Sequence, residues 1–285
     1  RELAVAEAAI EHARATGGGL VLVAGEAGIG KTSLCHALTV RARAVGTVVA
    51  WGHSSPDDRR PSLWPWRQAL RSWADQADPR VVDEARRAGG PTAVRLLLEP
   101  QADHGTDGHE PAAAGDRDER DAAFRGATRL LATAAAHEPL VLVLDDLQWA
   151  DLATLALVEV LLPPEAATGV VLVATMRREA RPRAGAAADA LDRILALGAT
   201  TVVELAGLEA GALRRCIHAI EPDPLGDDVI DRIVEQSGGN PLFATELARW
   251  AARAGPDSGL PRTITDVIRA RVADQALRDR WVAHA

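Results

Sequence analysis

The run Leu20-Val21-Leu22-Val23-Ala24-Gly25-Glu26-Ala27-Gly28-Ile29-Gly30-Lys31-Thr32 leaves few folds open to this chain. Apolar residues pass without a break into a glycine-rich turn, and a helix-compatible segment, Ser33 to Ala44, follows. Gly25, Gly30, Lys31 and Thr32 occupy the fixed positions of the phosphate-binding pattern G-x-x-x-x-G-K-[ST]. Glycines let the backbone bend until successive N–H groups point inward at a phosphate chain. The helix adds unpaired N–H groups and the positive end of its dipole. Lys31 supplies a mobile cation for the β- and γ-phosphates, and the Thr32 hydroxyl suits Mg²⁺. The expected nucleotide-binding stretch is therefore Gly25, Glu26, Ala27, Gly28, Ile29, Gly30, Lys31, Thr32 and Ser33. The competing reading is a plain glycine turn with a solvated lysine. The strand before it and the helix after it argue against that.

Strands and helices go on alternating downstream. Helical periodicity spans Glu2 to Ala15 and stops at Gly17-Gly18-Gly19. Strands are expected at Thr47–Trp51, Pro139–Leu144, Val170–Ala174 and Thr201–Glu204, with helices through Leu70 and Trp73, from about Ala122 to His137, and from Ala153 to Leu162. With the first strand this makes a parallel five-stranded sheet in a three-layer α/β fold. After Leu208 the patterns are only helical, at Glu209–Ile220, Asp227–Gln236 and Pro241–Ala254. The expected organisation is a core over residues 1–207 and a helical lid over 208–255. Residues 256–285 would hold a linker and the start of a further domain, with Ile264, Val267, Ile268 and Val272 on one helical face. Residues 99–121, rich in Asp, Glu, Gly, Ala and Pro, read as a mobile insertion. Four of the seven tryptophans lie between Trp51 and Trp73, read as packing over the sheet, with a ligand-contacting patch as the alternative.

Composition narrows the function classes. A net charge of −8 over 285 residues argues against an extended surface for neutralising nucleic-acid phosphates. Cys35 and Cys216 stand far apart, which points away from a disulfide framework or a zinc site and toward a reducing cytoplasm. No apolar run approaches the length of a membrane span. Both ends fall inside helical patterns, so the chain is expected to be part of a longer protein.

Asp145 and Asp146 close the strand Leu140–Leu144, and carboxylates at the carboxyl end of a parallel strand face the ligand crevice. Asp145 is placed to hold Mg²⁺, and Asp146 to orient or deprotonate the attacking water. The alternative is that the pair caps the following helix, a role better suited to Asp151. Thr175 and Arg177 end the next strand, where Arg177 would stand between the phosphate loop and Asp145 and report a terminal phosphate, the alternative being that Arg177 and Arg178 are both solvated. Ser237-Gly238-Gly239-Asn240-Pro241 reads as a helix stop, a cap and a first helical position, or alternatively as a contact from Pro241 to adenine.

Together these residues resemble the STAND class of AAA+-like P-loop NTPases, and specifically the ATPase module of large ATP-binding regulators of the LuxR family. The strings that carry the resemblance are Gly25 to Thr32, Leu144-Asp-Asp-Leu-Gln-Trp-Ala-Asp151, Ala174-Thr-Met-Arg177, Gly238-Gly-Asn-Pro-Leu-Phe243 with Glu246-Leu247, and Leu260 to Arg271. The resemblance implies a slow regulatory ATPase in which ADP holds core, lid and a winged-helix domain closed. ATP with a small-molecule or protein inducer would open them and permit self-association. It also makes Arg177 the γ-phosphate sensor and Pro241 the lid contact to the base, and leaves DNA to an output domain outside this chain. The family's Gly-Arg-Glu opening is represented here by Arg1-Glu2 alone, and the usual glutamate after the first aspartate is Asp146. Three rivals differ in what they require. A DNA motor or loader needs a basic channel, a phosphotransferase needs an acceptor site among the tryptophans, and a nucleotide-binding scaffold needs no hydrolysis.

Overall fold

The computed structural model describes residues 1–56, 60–99, 117–163, 169–182, 184–220, 225–254, 259–266 and 269. Contacts divide the chain into two compact units, Arg1–Gly25 with Lys31–Glu204 and Glu26–Gly30 with Leu205–Ala285.

The first unit is a parallel sheet of β1 (Gly19–Gly25), β2 (Val48–His53), β3 (Leu140–Asp145), β4 (Val171–Arg177) and β5 (Thr200–Glu204), in the order β2-β3-β4-β1-β5. β1 and β3 are buried along their whole length, which is why their sequences run apolar instead of alternating. Leu20, Leu22, Leu140, Leu142, Leu144, Leu172 and Ala174 share one core with α3 (Trp64–Ala74), α4 (Pro79–Leu97), α5 (Arg117–His137), α6 (Leu152–Leu161) and α7 (Ala186–Ala196). The intervening Val21, Val23, Val141, Val143, Val171 and Val173 are equally buried. Beside them pack α1 (Glu2–Ala15) and α2 (Lys31–Ala44), completing three layers. The register pairs Gly25 with Arg177 and His53 with Asp145, so the strands bearing the candidate residues end together.

Two helices were not expected from the sequence. α4 carries Gly89-Gly90-Pro91, which reads as a break, and the structure bends there, with Gly90 at φ 76° and ψ 169°, while helix continues on both sides. α7 follows an arginine- and proline-rich segment that masks its apolar face of Ala190, Leu191 and Ile194. α5 starts at Arg117 instead of about Ala122, because Arg117-Asp118-Glu119-Arg120-Asp121 is a charged run that opens a helix as readily as it fills a loop. Of the expected insertion, residues 100–116 lie outside the described residues. So do 255–258 of the linker and, in the final segment, Val267, Ile268 and Val272.

In the second unit, α8 (Ala210–Ile220), α9 (Asp227–Ser237) and α10 (Pro241–Ala254) bury Leu213, Ile217, Ile230, Ile233, Ala244 and Leu247 against one another. α9 ends on Gly238 in the left-handed conformation, and the Asn240 side chain accepts from the Phe243 N–H at 3.2 Å to cap α10. No described helix is long and apolar enough to cross a membrane.

Candidate functional site

In the first unit the carboxyl ends of β1, β3 and β4 bring together Lys31 and a hydrogen-bonded group of Thr32, Asp145, Asp146, Thr175, Gln148 and the Arg177 backbone. β4 lies between β1 and β3, so Thr175 and Arg177 stand between the two strands that carry the sequence motifs. Lys31 opens α2 only 7% exposed, and its Nζ donates to the Gly25 carbonyl oxygen at 3.0 Å. Burial lowers its pKa, the nearby Arg177 guanidinium lowers it further, and Asp146, Glu179 and Asp145 oppose the shift. An ammonium so placed is made more favourable by an arriving polyanion.

Thr32 Oγ1 donates to Asp145 at 3.3 Å from both carboxylate oxygens. Adjacent oxygens around an octahedral Mg²⁺ with bonds of about 2.1 Å stand about 3 Å apart, so this pair fits as neighbouring ligands of that ion. Asp145 also accepts from the Thr175 hydroxyl and lies 3.4 Å from His53 Nδ1.

Asp146 is held differently. Its backbone is left-handed (φ 57°), a conformation Asp tolerates better than most residues at a cost of order 1 kcal/mol. Its N–H donates to Thr175 Oγ1 at 2.9 Å, and its carboxylate accepts from Gln148 Nε2 at 2.7 Å. Gln148 Oε1 in turn accepts from the Arg177 N–H at 2.9 Å, joining the ends of β3 and β4. Arg177 Nε lies 3.6 Å from Asp146 Oδ1. The helix-cap alternative belongs to Asp151, which accepts from Thr154 N at 2.7 Å, whereas Asp146 makes no capping bond.

The loop Glu26–Gly30 groups with the second unit. Asn240 Nδ2 donates to the Ala27 carbonyl at 2.8 Å, and the Leu242 N–H to the Gly28 carbonyl at 3.3 Å. Gly28 (φ 77°) has no room for a side chain, since a Cβ there would stand 2.8 Å from Leu242 Cβ. Pro241 takes the first position of α10, and the bonds to the loop come from its two neighbours.

The chain matches the family described as AAA ATPase domain over residues 1–173. This chain belongs to that family. The chain is also 28% identical over 251 residues, 83% of its length, to an uncharacterized protein of Rhizobium meliloti (strain 1021), of which it spans 23%. Among solved structures it resembles a Walker-type ATPase of Pyrococcus abyssi, with a TM-score of 0.54 at 14% identity over 98% of this chain and 75% of that one. A STAND protein with a tetratricopeptide repeat sensor from Pyrococcus horikoshii gives 0.45 at 15% identity, over 88% of this chain and 29% of that chain. AMPPCP-bound DnaA from Aquifex aeolicus gives 0.46 at 13% identity, over 88% and 60%.

Sequence reasoning gave Gln148 and His53 no role of their own and made Asn240 a helix cap, without its bond to the Ala27 carbonyl. Gln148 had a signal, two residues beyond the paired aspartates. His53 had none, because its place beside Asp145 depends on β2 running two residues past its expected end.

Proposed function

We propose that the chain is a nucleotide-operated switch, which binds Mg-ATP, hydrolyses it slowly and passes its nucleotide state on as a change of domain arrangement and self-association. The observation that carries this reading is the linked group of Thr32, Asp145, Thr175, Asp146, Gln148 and Arg177 at adjoining strand ends. In it Gly25 to Ser33 cradle the phosphates, and Lys31 neutralises the β- and γ-phosphates. Thr32 and Asp145 hold Mg²⁺, which when bound offsets charge developing on the transferred phosphoryl group. Asp146 positions the attacking water and accepts its proton.

Arg177 reads the terminal phosphate. A γ-phosphate competes with the Asp146 carboxylate for this guanidinium, now 3.6 Å away, and loss of that phosphate returns it. The loop Glu26–Gly30, bonded to Asn240 and Leu242, is the covalent route by which bound phosphate biases the helices. Pro241 is the contact to adenine. Residues 1–207 then form the ATPase core, 208–255 the lid and 256–285 the linker and the start of a winged-helix domain. The setting favoured by the sequence strings is a cytoplasmic bacterial transcription regulator of the LuxR family, responding to an inducer and touching DNA through an output domain.

The test is solution mass by light scattering with Mg-ATP and with ADP, using Asp146→Asn to hold the ATP state. A larger particle in ATP is expected. Equal masses, with both nucleotides shown to be bound, would contradict the switch.

A further inference from the structure

Gln148 is only 6% exposed, and its amide ends between two partners of opposite kind. Oε1 accepts from the Arg177 N–H at 2.9 Å, and Nε2 donates to Asp146 Oδ1 at 2.7 Å. A backbone N–H can only donate and an ionised carboxylate can only accept, so the partners fix which end of the amide faces which. The residue is itself anchored. It lies in the single turn Leu147–Trp149, where Leu147 is buried in the core and the Trp149 N–H donates to the Asp146 carbonyl oxygen at 3.0 Å.

The contacts to the Asp146 carboxylate fall on one oxygen. Gln148 Nε2 and Arg177 Nε both approach Oδ1, and among the described residues none bonds Oδ2. The Asp146 side chain keeps 33% of its surface exposed, so water reaches this carboxylate. With Oδ1 occupied, Oδ2 is the oxygen left to accept a proton.

The two contacts to Oδ1 differ in how firmly they hold. The Arg177 guanidinium stands 3.6 Å away on a side chain 42% exposed, and it is the group that a γ-phosphate would draw off. Gln148 instead grips the backbone N–H of Arg177, which stays in β4 whatever the guanidinium does.

We infer that Gln148 is the positioning residue for Asp146, its amide holding Oδ1 so that Oδ2 stays turned to the attacking water while Arg177 moves to phosphate. This deepens the proposed ATPase reading and rests on it. The amide touches neither nucleotide nor water. It acts by denying the carboxylate other rotamers, because a general base works only within hydrogen-bond reach of the proton it takes.

Steady-state turnover and calorimetric Mg-ATP binding in two variants test the role. Gln148→Met keeps the length and removes both bonds. Gln148→Glu keeps an acceptor for the Arg177 N–H and sets a like charge against Asp146. Each should lower kcat about tenfold or more, while KM and Mg-ATP affinity stay within about twofold. In Asp146→Asn there is no base left to position, so adding Gln148→Met should slow that variant by less than about twofold further. Wild-type kcat in Gln148→Met, or its full loss repeated in the Asp146→Asn background, overturns the role. So does a parallel fall of kcat and Mg-ATP affinity in both variants, which would make Gln148 a support of the fold alone. Wild-type turnover by Asp146→Asn overturns the base and the positioning together, whereas a slowed Asp146→Asn beside an unaffected Gln148→Met overturns the positioning only.

Discussion

The phosphate loop and the carboxylate group at the ends of β3 and β4 are neighbours in purpose but built on different principles. The loop is specified by backbone. Gly28 and Gly30 stand at φ 77° and 107°, where a side chain is strained whatever the space around it. The carboxylate group is specified by side chains, with Thr175 bridging Asp145 to the Asp146 N–H and Gln148 tying Asp146 to the backbone of Arg177. A backbone device can be written as a short motif in consecutive residues. A side-chain device needs two strands in register, and its members are about thirty residues apart in the chain.

Substitutions on the two sides should therefore fail in different ways. The largest effect is expected for Lys31→Ala, which removes the ammonium proposed to neutralise phosphate. ATP affinity by calorimetry should fall on the order of a hundredfold, and unchanged affinity would break the assignment of the loop. Asp146→Asn should leave ATP affinity near that of the wild type while turnover drops at least several-fold, the loss of a general base. If turnover is untouched, Asp146 is no more than a partner of Arg177.

Thr175→Val sharpens the contrast. It keeps the shape but strands the Asp146 N–H, so unfolding in urea should show a loss of about 1–3 kcal/mol together with slower turnover. Gly28→Ala should weaken nucleotide binding and strain the loop by more than about 1 kcal/mol, since the added Cβ meets Leu242, without altering the Thr175 bonds. Equal phenotypes for the two would mean that loop and carboxylate group are not built on different principles.

One effect is absent at neutral pH and shows only in alkali. Cys35, fully buried in α2 and close to the charge of Asp145, has its thiol pKa pushed up from 9.0 to about 12, burial being the larger cause. The unfolded thiol ionises from about pH 9 while the folded one stays protonated. The contribution is thus complete below pH 9 and is lost as pH rises toward 12. Cys35→Ala should flatten that part of the alkaline stability profile, and an identical slope would argue against the burial account.

This contrast also explains what was readable in advance. Unbroken apolar runs such as Leu140–Leu144 specify buried strands, and the parallel sheet follows from their alternation with helices. Gly25 to Thr32 and the paired aspartates could be picked out because each lies within a few residues. α4 escaped because Gly89-Gly90-Pro91 reads as a stop, whereas packing on α5 carries the helix through the bend. The left-handed Asp146, the Gln148 link and the bonds from Asn240 and Leu242 to the phosphate loop depend on contacts between distant segments, so no local pattern announces them.

The switch depends on this chain cleaving ATP with Asp146. Following labelled Mg-ATP to ADP in wild type and Asp146→Asn, at matched occupancy of the nucleotide site, tests it directly. Slow ADP formation by the wild type, falling at least several-fold in the variant, is the predicted result. No ADP above background in the wild type, or equal rates in the two proteins, would contradict it.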